Sequence, residues 1–269
     1  MKNLDEKINE IGKIMGAMSS QLVGFNEDIE AGSFSFCVCK NNEALCVNLK
    51  KTYLDSHTPS EIAGSLSAVS ITNDEFVKNI HYCLRGHKEE RNKADIVYRR
   101  FLDLDVLYEV RQGNFSFFIT HDIMKHRGFT NEDLERAATK NLERPGFCTG
   151  RTLVETLVGL GMEAPADESD DNVYVLSAGE TEGACVLLNN KFIAEFVNKK
   201  NLDYIQIIPS SIHEILAVIP PKGVNLNESN KELKSMCTDV NNTIVSEDEV
   251  LSYNIYIADR NGNVFLATN

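Results

Sequence analysis

Apolar residues recur at Leu4, Ile8, Ile11, Met15, Met18 and Leu22. This four-three-four-three-four spacing places one stripe on a helix over residues 3–22. The stripe matches a coiled-coil seam for under three heptads, and Gly12 and Gly16 weaken the helix, so packing onto its own chain is expected. The period then changes to two. In SFSFCVCKNNEALCVNLK, Phe34, Phe36 and Val38 alternate with Ser35, Cys37 and Cys39 ahead of Asn41-Asn42, which predicts a β-hairpin turning at the asparagines. Residues 59–70 and 74–95 carry helical patterns, opened by Pro59-Ser60 and capped by Asp74 respectively. FLDLDVLYEV and NFSFFIT read as two strands joined at Gln112-Gly113. Thr130 with Asp133 forms a capping-box pair ahead of Leu134, Ala137, Ala138 and Leu142, which share a helix face.

Alternation and helical spacing continue past residue 172. Strands are predicted at YVLSA and, after a turn from Gly179 to Gly183, at ACVLL, followed by a helix with Phe192, Ile193, Phe196 and Val197 on one side. YIQII is a strand running into Pro209, and EILAVI is another ending at Pro220-Pro221. A helix is predicted from about Ser229 to Val240, burying Leu233, Met236 and Val240. Ser246 with Glu249 reads as a second capping box, and YNIYIADRNGNVFLAT as a hairpin turning at Asn261-Gly262. Hairpins mixed with helices, without regular βαβ alternation, predict an α+β fold of mixed antiparallel sheets and packed amphipathic helices. MEAPADESDDN, residues 162–172, carries five carboxylates and a proline and buries little apolar surface. It is read as a linker between an N-terminal half, 1–161, and a C-terminal half, 173–269.

Composition narrows the function. The 269 residues hold 40 acidic and 27 basic side chains, a formal net charge of −13. That charge repels a phosphate backbone, so direct nucleic-acid binding is not expected. No stretch has the roughly 18 apolar residues of a spanning helix, and the first sixteen residues lack the apolar core of a secretory signal, so neither membrane insertion nor export is expected. Seven scattered cysteines fit free thiols in a reducing cytoplasm better than a secreted disulfide framework.

Several strings carry a resemblance: KNN at 40–42 with Tyr53-Leu54 soon after, FLDL at 101–104, the YVLS and GACVLL pair, IIPSSIHE at 207–214, and VNNTIVSEDEVLS at 240–252. In this order, and over nearly the whole chain, they resemble the bacterial domain-of-unknown-function family catalogued as five-six-eight-eight. Members of that family often lie among genes of mobile elements, which implies an accessory role. ITHDIMKHRGFTNEDLERAATKN and the segment ending in PSS are similar to a second uncharacterised α+β family, the YtpQ-like one. Neither resemblance supplies a reaction, a ligand or a catalytic residue.

The residues offer one concentrated candidate, Ser210, Ser211, His213 and Glu214, leaving a strand at a proline. Pro209 removes a backbone donor and ends regular pairing, so the following polar groups turn outward, where binding sites are built. A serine, histidine and carboxylate also suggest a hydrolase working through Ser211, His213 and Glu214. Against it, side chains two apart on a strand stand about 7 Å apart, beyond hydrogen-bond reach. Ala217 occupies the second-histidine place of an H-E-x-x-H motif, and no G-x-S-x-G elbow occurs. In the first hairpin a two-residue turn sets Cys37 opposite Cys46, with Cys39 diagonal on the same face. Three sulfurs can begin a soft-metal site, but no fourth ligand or C-x₂₋₄-C spacing accompanies them, and cysteines filling a sheet face explain them. His81 and His87, six apart in the expected helix, lie on different faces, and His121, Asp122 and His126 complete no metal set. Nucleotide-binding glycine motifs are absent.

The reading is therefore a cytoplasmic accessory protein that binds an unidentified protein or small molecule, without catalytic residues, metal or cofactor. Its rivals are the hydrolase and an acidic nucleic-acid mimic that blocks a DNA-binding partner.

Overall fold

The computed structural model describes residues 4–17, 21–28, 33–40, 43–67, 73–89, 96–112, 115–162, 172–179 and 181–267. In chain order, α1 (Leu4–Ala17), β1 (Gln21–Asp28), β2 (Ser33–Lys40), β3 (Glu43–Lys50), α2 (Lys51–Ser56), α3 (Pro59–Ser67) and α4 (Asn73–Lys78) come first. Then follow β4 (Ile80–Gly86), β5 (Tyr98–Phe101), β6 (Leu104–Gln112), β7 (Phe115–Phe118), α5 (His121–Arg127), α6 (Asn131–Leu142), β8 (Cys148–Thr152) and α7 (Leu153–Gly159). The last are β9 (Val173–Ala178), a 3-10 helix (Gly183–Leu188), α8 (Asn190–Lys199), β10 (Tyr204–Ile208), β11 (Ile215–Val218), α9 (Leu226–Thr243), β12 (Tyr256–Asp259) and β13 (Val264–Leu266). The fold is α+β, with one sheet in the order β1-β2-β3-β7-β6-β4, β5 pairing with β6, and another in the order β13-β12-β10-β11-β9-β8.

Two compact units are interleaved along the chain. The first comprises Met1–His81, Asn92–Val97 and Tyr108–Ala138, and the second Tyr82–Arg91, Tyr98–Leu107 and Thr139–Asn269. In the first, α1 packs on α3 and β1, burying Ile11 and Met15. The helix stops at Ala17, so Leu22, the last position of the expected stripe, belongs to β1 instead. The β2–β3 hairpin has the register that a two-residue turn predicts, with Cys37 opposite Cys46 and Lys40 opposite Glu43, and the alternation holds in that Phe34, Phe36 and Val38 are buried. Asn41-Asn42 and the side chains of Cys37, Cys39 and Cys46 lie outside the described residues. The Thr130–Asp133 capping box forms in both directions, and Leu134, Ala137, Ala138 and Leu142 are buried along α6.

Four expectations give way to tertiary context. The helix expected over 74–95 is only the short α4, after which Ile80–Gly86 is a strand with Ile80, Tyr82, Cys83 and Leu84 all buried. A strand covered on both faces loses its alternation and mimics a helical run. FLDLDVLYEV is not one strand: Leu102 takes φ 55°, and the chain turns so that Phe101 pairs with Leu104. ACVLL forms the buried 3-10 helix rather than a strand. A Cβ on Gly183 would lie 1.9 Å from the Ser177 hydroxyl and 2.8 Å from the His213 carbonyl, so only a glycine lets this turn pass so close to its neighbours. Finally, Ser246–Glu249 is a turn closed by Glu249 N–H on the Ser246 carbonyl, with no helix after it.

In the second unit the strand pairings among the described residues are antiparallel. The closing hairpin turns through Gly262 at φ 77°, as Asn261-Gly262 predicts. Of the expected linker, Met162 and Asn172 are described, and 163–171 lie outside the described residues.

Candidate functional site

The strand β10 ends at the buried Pro209, and residues 209–212 then run antiparallel to 249–252. Ser252 N–H donates to the Pro209 carbonyl (3.2 Å), Leu251 N–H to Ser210 (3.2 Å) and Ile212 N–H to Glu249 (3.0 Å). This pairing decides what the candidate residues can do. Ser211 is buried, and its hydroxyl accepts the His213 N–H at 3.2 Å. The His213 ring is turned instead to Glu249, Nε2 to Oε1 3.1 Å, with side chains 48% and 36% exposed. The carboxylate facing the histidine is thus Glu249 rather than Glu214. The sequence pattern places Glu249 in a helix cap, and only the antiparallel pairing with 209–212 brings it across.

A denser constellation lies at the β5–β6 turn. Asp103 accepts three hydrogen bonds: from Ser252 Oγ (2.6 Å), Asn254 Nδ2 (2.9 Å) and Tyr256 OH (2.5 Å). The chain bends at 253–254 before β12 begins, and Ser252 Oγ accepts the Asn254 N–H (2.9 Å), so this short turn gathers Ser252, Asn254 and Tyr256 on one carboxylate. Burial pushes the Asp103 carboxyl up, but Ser252, Tyr256 and Asn254 together hold it below the ordinary carboxylate range. Burial, followed by the bond to this carboxylate, raises the Tyr256 phenol, so at neutral pH the pair is an anion with a neutral donor.

The network continues onto α9. Lys234 Nζ donates to Asn254 Oδ1 (3.2 Å), and Asn241 Nδ2 (3.0 Å) and the Cys237 thiol (3.6 Å) to the Ser252 carbonyl. Further along, Asn230 Oδ1 accepts from Gln206 Nε2 (2.6 Å), and Ser229 Oγ donates to Gln206 Oε1 (3.0 Å). Positions 230, 234, 237 and 241 share one helix face, and this polar face is the inner one. Its apolar part is narrow: Leu233 and Cys237 pack on Ile208 and Ile255. Burial pushes the Cys237 thiol up to about 11, so it sits there as a neutral donor. The consequence overturns an expectation, because Met236 and Val240 face outward instead of filling the core. Met236 is 59% exposed, Val240 38% and Ile244 78%.

Two charged clusters complete the second unit. Glu182, at φ 52°, accepts from the Cys83 thiol (3.1 Å) and from Arg85 Nη2 (2.8 Å). Cys83 and Arg85 reach it together because β4 is a strand, so i and i+2 share a face. A guanidinium on that carboxylate opposes a cation there. Asp105, fully buried, accepts from Arg100 (2.8 Å) and lies 3.0 Å from His87 Nδ1. His81 falls on the same strand rather than on a helix, and the side chains of Asp122 and His126 lie outside the described residues.

No helix among the described residues is long and apolar enough to cross a membrane. No curated protein and no solved structure matches the chain. The segments meeting at Asp103, FLDL and VNNTIVSEDEVLS with its continuation to Tyr256, fall within residues 37–260, which match a family model. The chain accordingly belongs to the family described as a family of unknown function, DUF5688.

Proposed function

We propose that this protein is a non-catalytic accessory module that binds another protein through the outer face of α9. The observation that supports it is the inverted helix: its polar residues are spent on Gln206, Ser252 and Asn254, while Met236, Val240 and Ile244 line up outward at i, i+4 and i+8. A soluble surface gains by covering such a stripe, and clustered exposed apolar side chains mark interaction sites. The groups with chemistry to offer point the same way. Asp103 and Tyr256 satisfy each other, and the Ser211 hydroxyl accepts a backbone amide rather than bonding an imidazole base. A cytoplasmic setting and a role on mobile elements are part of this proposal, the latter from the family resemblance alone.

A ligand contact at Ser210, Ser211, His213 and Glu214 is a second reading, supported by the half-exposed His213 ring beside Glu249. Capture from the native cytoplasm, read by mass spectrometry, separates the two. Under the first, Met236→Ser/Ile244→Ser loses a protein that wild type and His213→Ala both retain. A partner lost only with His213→Ala favours the second, and identical profiles for all three overturn the first.

A further inference from the structure

Resting on that reading, we infer that the α9 face takes a basic amphipathic helix of the partner protein. The stripe runs from Met236 to Ile244, the residue that caps α9, eight rises or about 12 Å, the length that two turns of a partner helix cover. Its borders are acidic. Glu232 and Asp239 lie one turn either side of Met236 and are exposed, and Glu247 and Asp248 are exposed just beyond the helix end. Across 226–248, Glu228, Glu232, Asp239, Glu247 and Asp248 stand against Lys231 and Lys234. The second of those lysines is turned inward, its ammonium on Asn254.

This charge pattern selects among occupants. A second copy would set the same carboxylates against one another, in a chain whose formal net charge is −13. An anionic membrane surface or a nucleic-acid backbone is repelled for the same reason. A helix with Leu, Ile or Met at i, i+4 and i+7 and Lys or Arg on its flanks meets both the stripe and its borders. Met236 at the centre suits such a contact, since an unbranched thioether repacks against varied side chains.

The test uses the full-length protein and two fluorescein-labelled peptides of about 14 Leu and Lys residues. One has the amphipathic helical order and the other the same composition scrambled, and anisotropy is read at about 0.15 M salt. The ordered peptide is expected to bind about tenfold more tightly than the scrambled one. Met236→Ser/Ile244→Ser, which leaves the charge unchanged, is expected to weaken it about tenfold, and Glu232→Gln/Asp239→Asn several-fold. Thermal melts confirm that both variants stay folded, as outward-facing substitutions should. Equal binding of the two peptides, no binding, or binding indifferent to the serine variant overturns the inference. So does a dimer in light scattering that the serine variant dissociates. If the peptide fails while the serine variant still loses a captured protein, the partner class is wrong and the proposed function stands. If both fail, both fall.

Discussion

Asp103 carries the polar architecture of the second unit, and its charge has a measurable signature. Its folded pKa lies below the ordinary value, so ionisation contributes stability above about pH 4 that is lost as pH falls through the folded value. Thermal melts from pH 6 down to about pH 2.5 should show declining stability at the acid end. Asp103→Asn should flatten part of that decline, leaving the share of Asp133 and Glu155, which are depressed chiefly by capping bonds from Thr130 and Thr152. At neutral pH the same substitution is expected to cost about 3 kcal/mol. An amide presents one acceptor and one donor to three donors, so at least one bond becomes a clash. Tyr256→Phe removes a single donor and should cost about 1–2 kcal/mol. His213 stands at the other extreme. Its ring and its partner Glu249 are both substantially exposed, and His213→Ala should move stability by at most about 1 kcal/mol. A larger loss would mean that the ring supports the 209–212 turn.

At the scale of elements, the 3-10 helix Gly183–Leu188 and α9 show opposite ways in which neighbours override pattern. GACVLL is apolar enough for a strand, yet Ala184 N–H bonds the Ile212 carbonyl and Gly183 lies against Ser177 and His213. Gly183→Ala should therefore cost about 2–3 kcal/mol in chemical denaturation, because the added methyl meets atoms with no room to retreat. A near-neutral result would show that the turn can shift outward. In α9 the spacing of Leu233, Met236 and Val240 predicts a core stripe, but bonds to Gln206, Ser252 and Asn254 decide the rotation of the helix. Met236→Ser should hence leave stability within about 0.5 kcal/mol, where a buried methionine would lose several.

For the whole molecule, the acidic run 162–172 lies in sequence within the second unit, and it is where cleavage is expected first, since five carboxylates and a proline give it little to bury. Limited digestion with a Glu-specific protease should cut first at Glu163 or Glu168. First cuts elsewhere would argue against an accessible segment there. Trypsin does not test it, because no Lys or Arg lies between Arg151 and Lys191.

Local rules in the sequence were sufficient wherever structure is settled over a few residues. The two-residue spacing between the strands set the β2–β3 register, Thr130 and Asp133 capped α6, Asn261-Gly262 closed the last hairpin, and Pro209 ended β10. The absence of regular βαβ alternation carried the α+β class. Tertiary structure decided whatever depends on what lies opposite. Burial on both faces made β4 a strand, three donors from 252–256 turned Asp103 into a hub, and antiparallel pairing gave His213 Glu249 in place of Glu214. It also turned the polar side of α9 inward. Periodicity states that a helix has two faces, but which face is buried depends on the hydrogen-bonding capacity of the surface it meets, and that surface is assembled from residues 11 to 24 positions away.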